Sequence, residues 1–258
     1  MNLKKLHNPE DGQMRIAGLM SGRGSNLIKI IEFEKQLGLE RNISPYHVAV
    51  IFSDTFDCNA KRIGESYNLP VITGDIRFFY SVRGKPRKDL NVRNDFDSET
   101  VKVLSPYDVT VAVYAGYMSI ATQPLINAFL GINVHPADLS VMKNGKRRYV
   151  GDHAVRDAII AGEQFIRSTT HIVEEKVDYG RILMISQPLE VILDHDLNPS
   201  NKDLLDRTID ENQQRLKATG DWIIFPKTLL YIAEGRYSQD NNKSLYFDGN
   251  PIPNGLKL

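Results

Sequence analysis

The chain has 258 residues, of which 41% are hydrophobic and 25% are charged, a balance typical of folded globular proteins rather than disordered ones. Its 32 basic and 32 acidic side chains cancel, so no overall field favours nucleic acid, and a local site for a small molecule is expected instead. The single cysteine, Cys58, can form no internal disulfide, and the polar first residues do not resemble a signal peptide. We therefore expect a cytoplasmic protein, and its most apolar stretch is too short to cross a membrane.

Predicted strands and helices alternate along the chain after a polar N-terminal tail at 1–13. Apolar runs predict strands at 14–20, 46–53, 69–73, 108–116 and 132–135. Helical periodicity predicts helices between and after them, at 27–37, 58–68, 95–107, 122–130 and 152–163. Such alternation is typical of right-handed βαβ units in a parallel sheet.

The last third of the chain departs from this alternation. Two neighbouring strands and a terminal hairpin are predicted at 168–175, 181–191 and 244–255. A helical stretch lies between them, with Ser200 and Asp203 as a possible capping box and breaks near Gly220 and Pro226. We predict an α/β fold in a single domain at 14–258, with an open, mostly parallel twisted sheet, an antiparallel edge and C-terminal helices.

The glycine loop at 22–26, Gly-Arg-Gly-Ser-Asn, lies where the first strand gives way to the first helix. Unpaired backbone N–H groups and the helix dipole at such a junction can receive an anion such as a phosphate. A dinucleotide fingerprint would need glycine where Leu27 stands, and the Gly-Lys-Ser/Thr ending of a Walker loop is absent. Two interpretations stay open: a phosphate site, or a tight turn in which Ser25 only caps the helix.

A second candidate site stands at the end of the fifth predicted strand. Asn133 and His135 are two residues apart, so their side chains share one face of the strand, and Pro136 ends it. An amide donor can hold a developing oxyanion, and an imidazole can exchange a proton beside it. Asp178, in a loop between two strand-like segments, can orient and charge the ring. The alternatives are a structural histidine and a solvated turn aspartate.

Six motifs occur in an order that resembles one family: SGRGSNL, AGYM, INVHP, GDHAVRDAI, STTHIVEEKVDYGRIL and YFDG. From about Arg15 to the C-terminus, they resemble the phosphoribosylglycinamide formyltransferases. The resemblance implies an enzyme of purine synthesis that transfers a formyl group from 10-formyltetrahydrofolate, a folate co-substrate, to the amine of glycinamide ribonucleotide. It implies no metal. The expected partners are these small molecules, without nucleic acid or membrane, and the expected assembly is a monomer or homodimer.

The resemblance also assigns roles to individual residues. Asn133, His135 and Asp178 correspond to the family's catalytic asparagine, histidine and aspartate, and the charge of Asp178 is expected to favour the imidazolium form of His135. Substrate binding is implied for Gly24, Ser25 and Asn26 at the phosphate, Arg93 on the phosphate and folate side, and Asp221 near the amine. The pterin pocket is implied for Gly116, Tyr117, Met118, Val173 and Val177. His153 matches a family histidine near the site, or else it caps or packs the helix that it begins.

The chain departs from the family pattern after the histidine. The segment 136–151 is longer than in the family, and its basic residues form either an extra anion contact or a charged exposed loop: Lys143, Lys146, Arg147 and Arg148. Another basic loop lies at 81–93, and Asp-His-Asp at 194–196 is interpreted as a solvated loop rather than a metal site. Ser119 stands where the family often has an arginine beside the folate, and Ala218 replaces a polar residue. An amino-sugar acceptor, hydrolysis by water and a non-catalytic folate- or nucleotide-binding role are therefore the alternatives.

Overall fold

The computed structural model describes residues 2–194 and 202–258. The strands within these residues are β1 (Lys4–Lys5), β2 (Met14–Met20), β3 (Tyr46–Ser53), β4 (Val71–Thr73), β5 (Val111–Tyr114), β6 (Leu130–His135), β7 (Met142–Lys143), β8 (Lys146–Arg147), β9 (Phe165–Ile166), β10 (Thr169–Ile172), β11 (Ile182–Ile185), β12 (Leu189–Glu190), β13 (Tyr237–Gln239), β14 (Leu245–Phe247), β15 (Asn250–Pro251) and β16 (Leu256–Lys257). The helices are α1 (Ser25–Arg41), α2 (Ala60–Tyr67), α3 (Ile76–Ser81), α4 (Leu90–Leu104), α5 (Gln123–Ala128), α6 (Ala154–Ile160), α7 (Lys202–Leu216) and α8 (Trp222–Ala233). Shorter helical turns lie at Pro9–Asp11, Ser105–Tyr107 and Lys217–Asp221. The predicted capping residue Ser200, and residues 195 and 196 of the Asp-His-Asp motif, lie outside the described residues.

The central sheet has the strand order β16-β11-β10-β6-β5-β2-β3-β4. The strands from β6 to β4 are parallel to one another. Strand β10 runs antiparallel to both of its neighbours, β6 and β11, and β16 then pairs in parallel with β11. The predicted mostly parallel sheet, its antiparallel part and the C-terminal helices are thereby confirmed.

The alternation of side chains along β2 explains why helices cover both faces of this sheet. Ile16 and Met20 pack into one apolar cluster with residues of α1, α2 and α8. Ala17 and Leu19 point the other way, into a second cluster with residues of α3, α4 and α5. Strands buried on both faces read as continuous apolar runs. Polar loops lie at the ends of the strands. Open α/β sheets bind their ligands at the carboxyl ends.

The start of α4 and the course of the C-terminal helical stretch differ from their predictions. Helix α4 begins at Leu90 rather than near residue 95, because the Asp89 side chain accepts a hydrogen bond from the Asn91 N–H (3.0 Å) and caps the helix. The C-terminal helical stretch is interrupted near Gly220, as predicted, by a π-helical turn at Lys217–Asp221. The predicted break at Pro226 is wrong, since α8 continues through this proline. The hydrogen bond that Pro226 cannot make would reach back to Trp222, directly after the π-helical turn, where the α-helical hydrogen-bond pattern is already interrupted.

The N-terminal tail is part of a smaller antiparallel sheet. Lys4 and Lys5 pair with β13, and the Leu6 N–H donates to the Tyr237 carbonyl (3.0 Å). Strands β14 and β15 form the predicted terminal hairpin on the other side of β13. No helix within the described residues is both long and apolar enough to span a membrane.

Candidate active site

Three loops at the carboxyl ends of the parallel strands are hydrogen-bonded to one another, and we call this surface the carboxyl edge. The Ser21 N–H, after β2, donates to the Gly116 carbonyl (3.0 Å), and the Ser21 hydroxyl accepts from the Met118 N–H (2.9 Å). On the other side of the loop after β2, Asn59 Nδ2, in the loop after β3, donates to the Arg23 carbonyl (3.2 Å). The strand order makes this possible, because β2 lies between β3 and β5.

The end of β6 brings Asn133 and His135 to this edge, and β10 places two partners opposite them. In the antiparallel register, His171 lies across from Asn133 and Thr169 lies across from His135. The Thr169 hydroxyl donates to the Ala137 carbonyl (2.6 Å) and accepts from the Leu139 N–H (3.2 Å). These bonds fix the path of the chain directly after the strand, where proline forbids further pairing.

Asp178 reaches the same point from the turn between β10 and β11. Its Oδ2 lies 3.4 Å from His135 Nδ1 and accepts from the Gly151 N–H (2.8 Å), and its Oδ1 lies 3.5 Å from His171 Nε2. Asp178 is only 5% exposed, so the interpretation as a solvated turn residue is wrong. The structure therefore brings together the three residues that the motifs singled out. With His171 they form what we call the polar cluster: Asn133, His135, His171 and Asp178.

His171 is the member of the polar cluster that sequence reasoning missed. Its Nδ1 lies 2.9 Å from the Ile172 carbonyl, which can only accept, so Nδ1 carries the proton. In the neutral ring, Nε2 then accepts from Asn133 Nδ2 (3.2 Å). The sequence offered one sign of this role: His171 is a polar residue within a predicted strand, on the same strand face as Thr169 two residues before it.

Burial and neighbouring charged groups shift the pKa values of His135 and Asp178 in opposite directions. Burial lowers the pKa of His135, and the opposing effect of the Asp178 carboxylate is smaller. The expected imidazolium form is therefore not favoured in the free protein, where His135 Nε2 donates to the Tyr149 carbonyl (2.9 Å). Burial alone would raise the pKa of Asp178, but its contacts with His171, His135 and the Gly151 N–H lower this pKa to about 2. Asp178 is thus ionised at neutral pH.

The glycine loop has the geometry expected of an anion site. Gly24 occupies the N-cap position of α1 with a left-handed φ of 71°, and a Cβ there would collide with Ile63 and Met20. Ser25 is the first helical residue and provides no side-chain cap, so the capping interpretation is wrong. The first N–H groups of α1 have no partner within the helix, and they lie beside the other loops of the carboxyl edge.

Asn26 and Asp221, both predicted on the substrate side, are in direct contact. Asn26 Nδ2 donates to Asp221 Oδ2 (3.3 Å), and the Ser168 hydroxyl donates to Asp221 Oδ1 (2.6 Å). Burial raises the pKa of Asp221, and these two hydrogen bonds oppose the increase. Gly220 is needed beside them, because a Cβ there would lie 2.5 Å from the Ser168 hydroxyl oxygen.

Arg93 lies on α4, buried at 3% exposure, with part of its guanidinium unpaired. Its Nη2 donates to the Tyr117 hydroxyl (2.8 Å) and contacts Asp97 Oδ1 (2.8 Å), whereas Nε and Nη1 have no hydrogen-bond partner among the described residues. Tyr117 and Val173, both predicted at the pterin pocket, belong to one apolar cluster with Tyr114.

The other predicted pocket residues lie on the surface. Met118 and Val177 are 68% and 52% exposed, and Gly116 is an exposed glycine with a φ of 79°. Ser119, at the position of the family's arginine, donates its hydroxyl to the Asp54 carboxylate. His153 is exposed at the N-cap of α6, where it makes no capping hydrogen bond.

The basic residues after His135 divide into two groups. Lys143 and Lys146 are exposed, as the solvated-loop interpretation predicts. Arg147 and Arg148 have protein partners: Arg147 Nη1 donates to the carbonyls of Asp178 and Gly180, and Arg148 pairs with Glu163 (2.8 Å). Within residues 2–194 and 202–258, no group of three or more His, Cys, Asp or Glu side chains could hold a metal ion.

An open α/β sheet with a glycine loop and a polar cluster at its carboxyl edge is consistent with the family suggested by the motifs. A family model described as Formyl transferase matches residues 14–218, and the chain therefore belongs to the formyl transferase family. A phosphoribosylglycinamide formyltransferase from Haemophilus influenzae is 27% identical over 241 residues, which cover 93% of this chain and 96% of that protein. The predicted family and the prediction of a formyltransferase are thereby confirmed.

The chain is also similar to part of a much longer protein and to a solved structure of similar length. It is 28% identical over 233 residues to the trifunctional purine biosynthetic protein adenosine-3 of Chironomus tentans, of which the match covers only 14%. The crystal structure of glycinamide ribonucleotide transformylase 1 from Symbiobacterium toebii matches with a TM-score of 0.65 at 25% identity. That match covers 91% of this chain and 94% of the other.

Proposed function

We propose that the protein transfers the formyl group of 10-formyltetrahydrofolate to the amine of glycinamide ribonucleotide, a reaction of de novo purine synthesis. The observation that carries this proposal is the polar cluster, in which an amide, two imidazoles and an ionised carboxylate meet at the carboxyl edge of a formyltransferase sheet. The relatives described above are named for the same reaction or pathway. The proposal takes residues 14–258 as one domain that acts in the cytoplasm.

The ribonucleotide is proposed to bind between the glycine loop and Asp221. Its phosphate would receive hydrogen bonds from the first N–H groups of α1 at Gly24, Ser25 and Asn26, where the helix dipole favours negative charge. Its amine would lie near Asp221. Asn26 donates to Asp221, so the glycine loop and Asp221 lie side by side.

The folate is proposed to bind on the Arg93 side of the carboxyl edge. Leaving the Arg93 Nε and Nη1 buried without acceptors is costly, and the polar groups of a folate would satisfy them. We propose that Gly116, Tyr117, Met118, Val173 and Val177 line the pterin. When bound, 10-formyltetrahydrofolate would supply the formyl carbon.

The polar cluster supplies the groups that amine attack on a formyl carbon requires. Asn133 Nδ2 has two hydrogens, of which one is donated to His171 and the second can stabilise the negative charge that develops on the formyl oxygen. Neutral His135, whose Nε2 already donates to the Tyr149 carbonyl, can take up at Nδ1 the proton that the attacking amine loses, relayed by water past Asp178. The ionised Asp178, 3.4 Å from Nδ1, stabilises the imidazolium that forms beside the oxyanion. The proton then passes to the folate nitrogen as its bond to the formyl carbon breaks, which releases tetrahydrofolate and the formylated amine.

The test mixes purified protein with 10-formyltetrahydrofolate and glycinamide ribonucleotide and follows the folate product by absorbance. Parallel reactions contain no acceptor, or an amino sugar in place of the ribonucleotide. Turnover only with the ribonucleotide supports the proposal. Turnover without an acceptor would indicate a hydrolase, turnover with the amino sugar alone would indicate another acceptor, and binding without turnover would indicate a non-catalytic protein.

A further inference from the structure

A short hairpin, β7–β8, follows the polar cluster in sequence and returns to it in space. Asn144 and Gly145 join its strands with φ values of 53° and 73°, the Asn-Gly combination that favours a two-residue turn. We propose that Arg147, at the end of this hairpin, is a positioning residue that holds the Asp178 turn so that the carboxylate stays between His135 and His171. This inference rests on the proposed function, in which Asp178 stabilises a proton on His135.

The contacts of Arg147 are with the backbone of the Asp178 turn. Its Nη1 donates to the carbonyl of Asp178 (2.5 Å) and to the carbonyl of Gly180 (2.9 Å). The residue between them, Tyr179, presents its ring 5.7 Å from the guanidinium carbon. One guanidinium nitrogen thus bridges the two carbonyls on either side of Tyr179. Hydrogen bonds from a charged donor are about twice as strong as neutral ones.

The turn has a backbone conformation that few residues adopt. Asp178 has a φ of 57°, in the left-handed region, which aspartate tolerates better than most residues with a side chain but still occupies only occasionally. This conformation directs Oδ1 towards His171 and Oδ2 towards His135 and the Gly151 N–H. Gly180 completes the turn, since a Cβ there would overlap the Ile172 carbonyl.

The hairpin itself is anchored to the body of the protein. Arg148 pairs with Glu163 (2.8 Å), and the Tyr149 hydroxyl donates to the same carboxylate oxygen (2.5 Å). Tyr149 is 4% exposed within an apolar cluster. Arg147 is therefore held on both sides, by its own strand and by the turn that it contacts.

The kinetic test compares Arg147→Met, which removes every donor, with Arg147→Lys, which keeps the charge and can still donate to two carbonyls. We expect Arg147→Met to lower kcat about tenfold to a hundredfold with a ribonucleotide KM within about twofold of normal, because misplacing a reacting group chiefly affects the chemical step. Arg147→Lys should recover part of the loss. The exposed Lys146→Met in the same hairpin is the matched control and should match the unmodified protein. A raised KM with unchanged kcat in Arg147→Met would mean that the guanidinium binds substrate, and would overturn the proposal.

A second measurement needs no substrate: NMR titration of the histidine rings. The charged and titratable groups that act on His135 are Asp178, His171 and Asp152. If Arg147→Met lets the Asp178 carboxylate move away, the imidazolium loses its stabilising charge and the pKa of His135 falls further. Removal of a positive charge without any movement would raise this pKa instead, so the sign distinguishes positioning from direct electrostatics.

The two measurements separate failure of this inference from failure of the proposed function. A fall in the pKa of His135 in Arg147→Met, with no turnover by the unmodified protein, would retain the positioning role and refute the transfer reaction. A raised or unchanged pKa with unaltered turnover would refute positioning and retain the reaction. Should Arg147→Met fail to fold, Arg147→Gln serves in its place: its neutral amide is too short to bridge the two carbonyls, so kcat and the pKa of His135 should both fall, and normal values of both would refute positioning.

Discussion

Asn133 can donate two hydrogen bonds through Nδ2, and the structure uses one of them, to His171. If the other stabilises an oxyanion, Asn133→Ala should lower kcat by about a hundredfold or more, as removal of one oxyanion donor does. The cost in stability should be only about 1 kcal/mol, from the unpaired His171 Nε2. Steady-state kinetics and thermal unfolding measure the two effects. Asn241→Ala, an exposed asparagine, is the control, and near-normal kcat in Asn133→Ala would remove this amide from the reaction.

Asp178 connects the polar cluster to the pH dependence of stability. Its pKa is lowered from an ordinary 3.8 to about 2, so its stabilising contribution is fully present above pH 4 and is lost as the pH falls through 2. A shift of this size corresponds to about 2 kcal/mol at neutral pH. Carbon-13 NMR of the carboxyl group, assigned by its loss in Asp178→Asn, should show a midpoint near 2. A midpoint at or above 3.8 would contradict the contacts described here.

At the scale of single elements, the loop before α1 offers a matched pair of glycines. Gly24 has a φ of 71° and no room for a Cβ, whereas Gly22 faces open space without a positive φ. We expect Gly24→Ala to destabilise the protein by about 1–3 kcal/mol and to raise the ribonucleotide KM, because the N–H groups of the first turn would shift. Gly22→Ala should stay within about 0.5 kcal/mol. Urea unfolding and initial rates measure both, and equal effects of the two substitutions would argue against a strained anion loop.

Elements that carry their own signals were predictable from the sequence. Strands β2 and β3 are continuous apolar runs, and their observed bounds coincide with the predicted ones. Helix α4 began earlier than predicted because its cap, Asp89, stands in a basic segment without clear periodicity. His171 was missed for a different reason. His171 matters because it lies opposite Asn133. The two strands are almost forty residues apart, and neither strand's sequence shows how they are aligned.

At the scale of the whole molecule, the described part of the tail, residues 2–13, lies away from the carboxyl edge. It pairs with β13 and lines a surface cavity with Thr110, directly before β5, at the amino end of the sheet. A variant that begins at residue 13 should therefore keep its kcat within about twofold. It should lose about 1–2 kcal/mol, or roughly 2–8 °C in Tm, because β13 loses its partner and Leu6 leaves the core.

Calorimetry and turnover measure these effects of truncation. Lys4→Ala with Lys5→Ala is the control, because it retains the backbone pairing of β1 and should have nearly normal Tm. Loss of activity at normal Tm would mean that the tail contributes to the site, contrary to its position at the amino end.

The layout of the site was predictable only where residues are close in sequence or belong to a motif. Asn133 and His135 share a strand, and their common face follows from the spacing of two. The partners of Arg147 and Arg148 lie 31 to 33 and 15 residues further along the chain, so a sequence pattern shows only a charged loop. The same holds for Asn26 and Asp221, which are 195 residues apart and meet because α1 and α8 pack into the same apolar cluster on one face of the sheet.

Ser21 links two neighbouring loops of the carboxyl edge. Its backbone and its hydroxyl bond to the loop at Gly116 and Met118, while its own loop continues into the proposed phosphate site. A ligand that orders one of these loops reduces the entropy that the other must lose when its own ligand arrives. The two substrates should therefore bind with positive cooperativity, each tightening the other by the same factor. Such reciprocity would favour the complex that holds both substrates over either complex with only one.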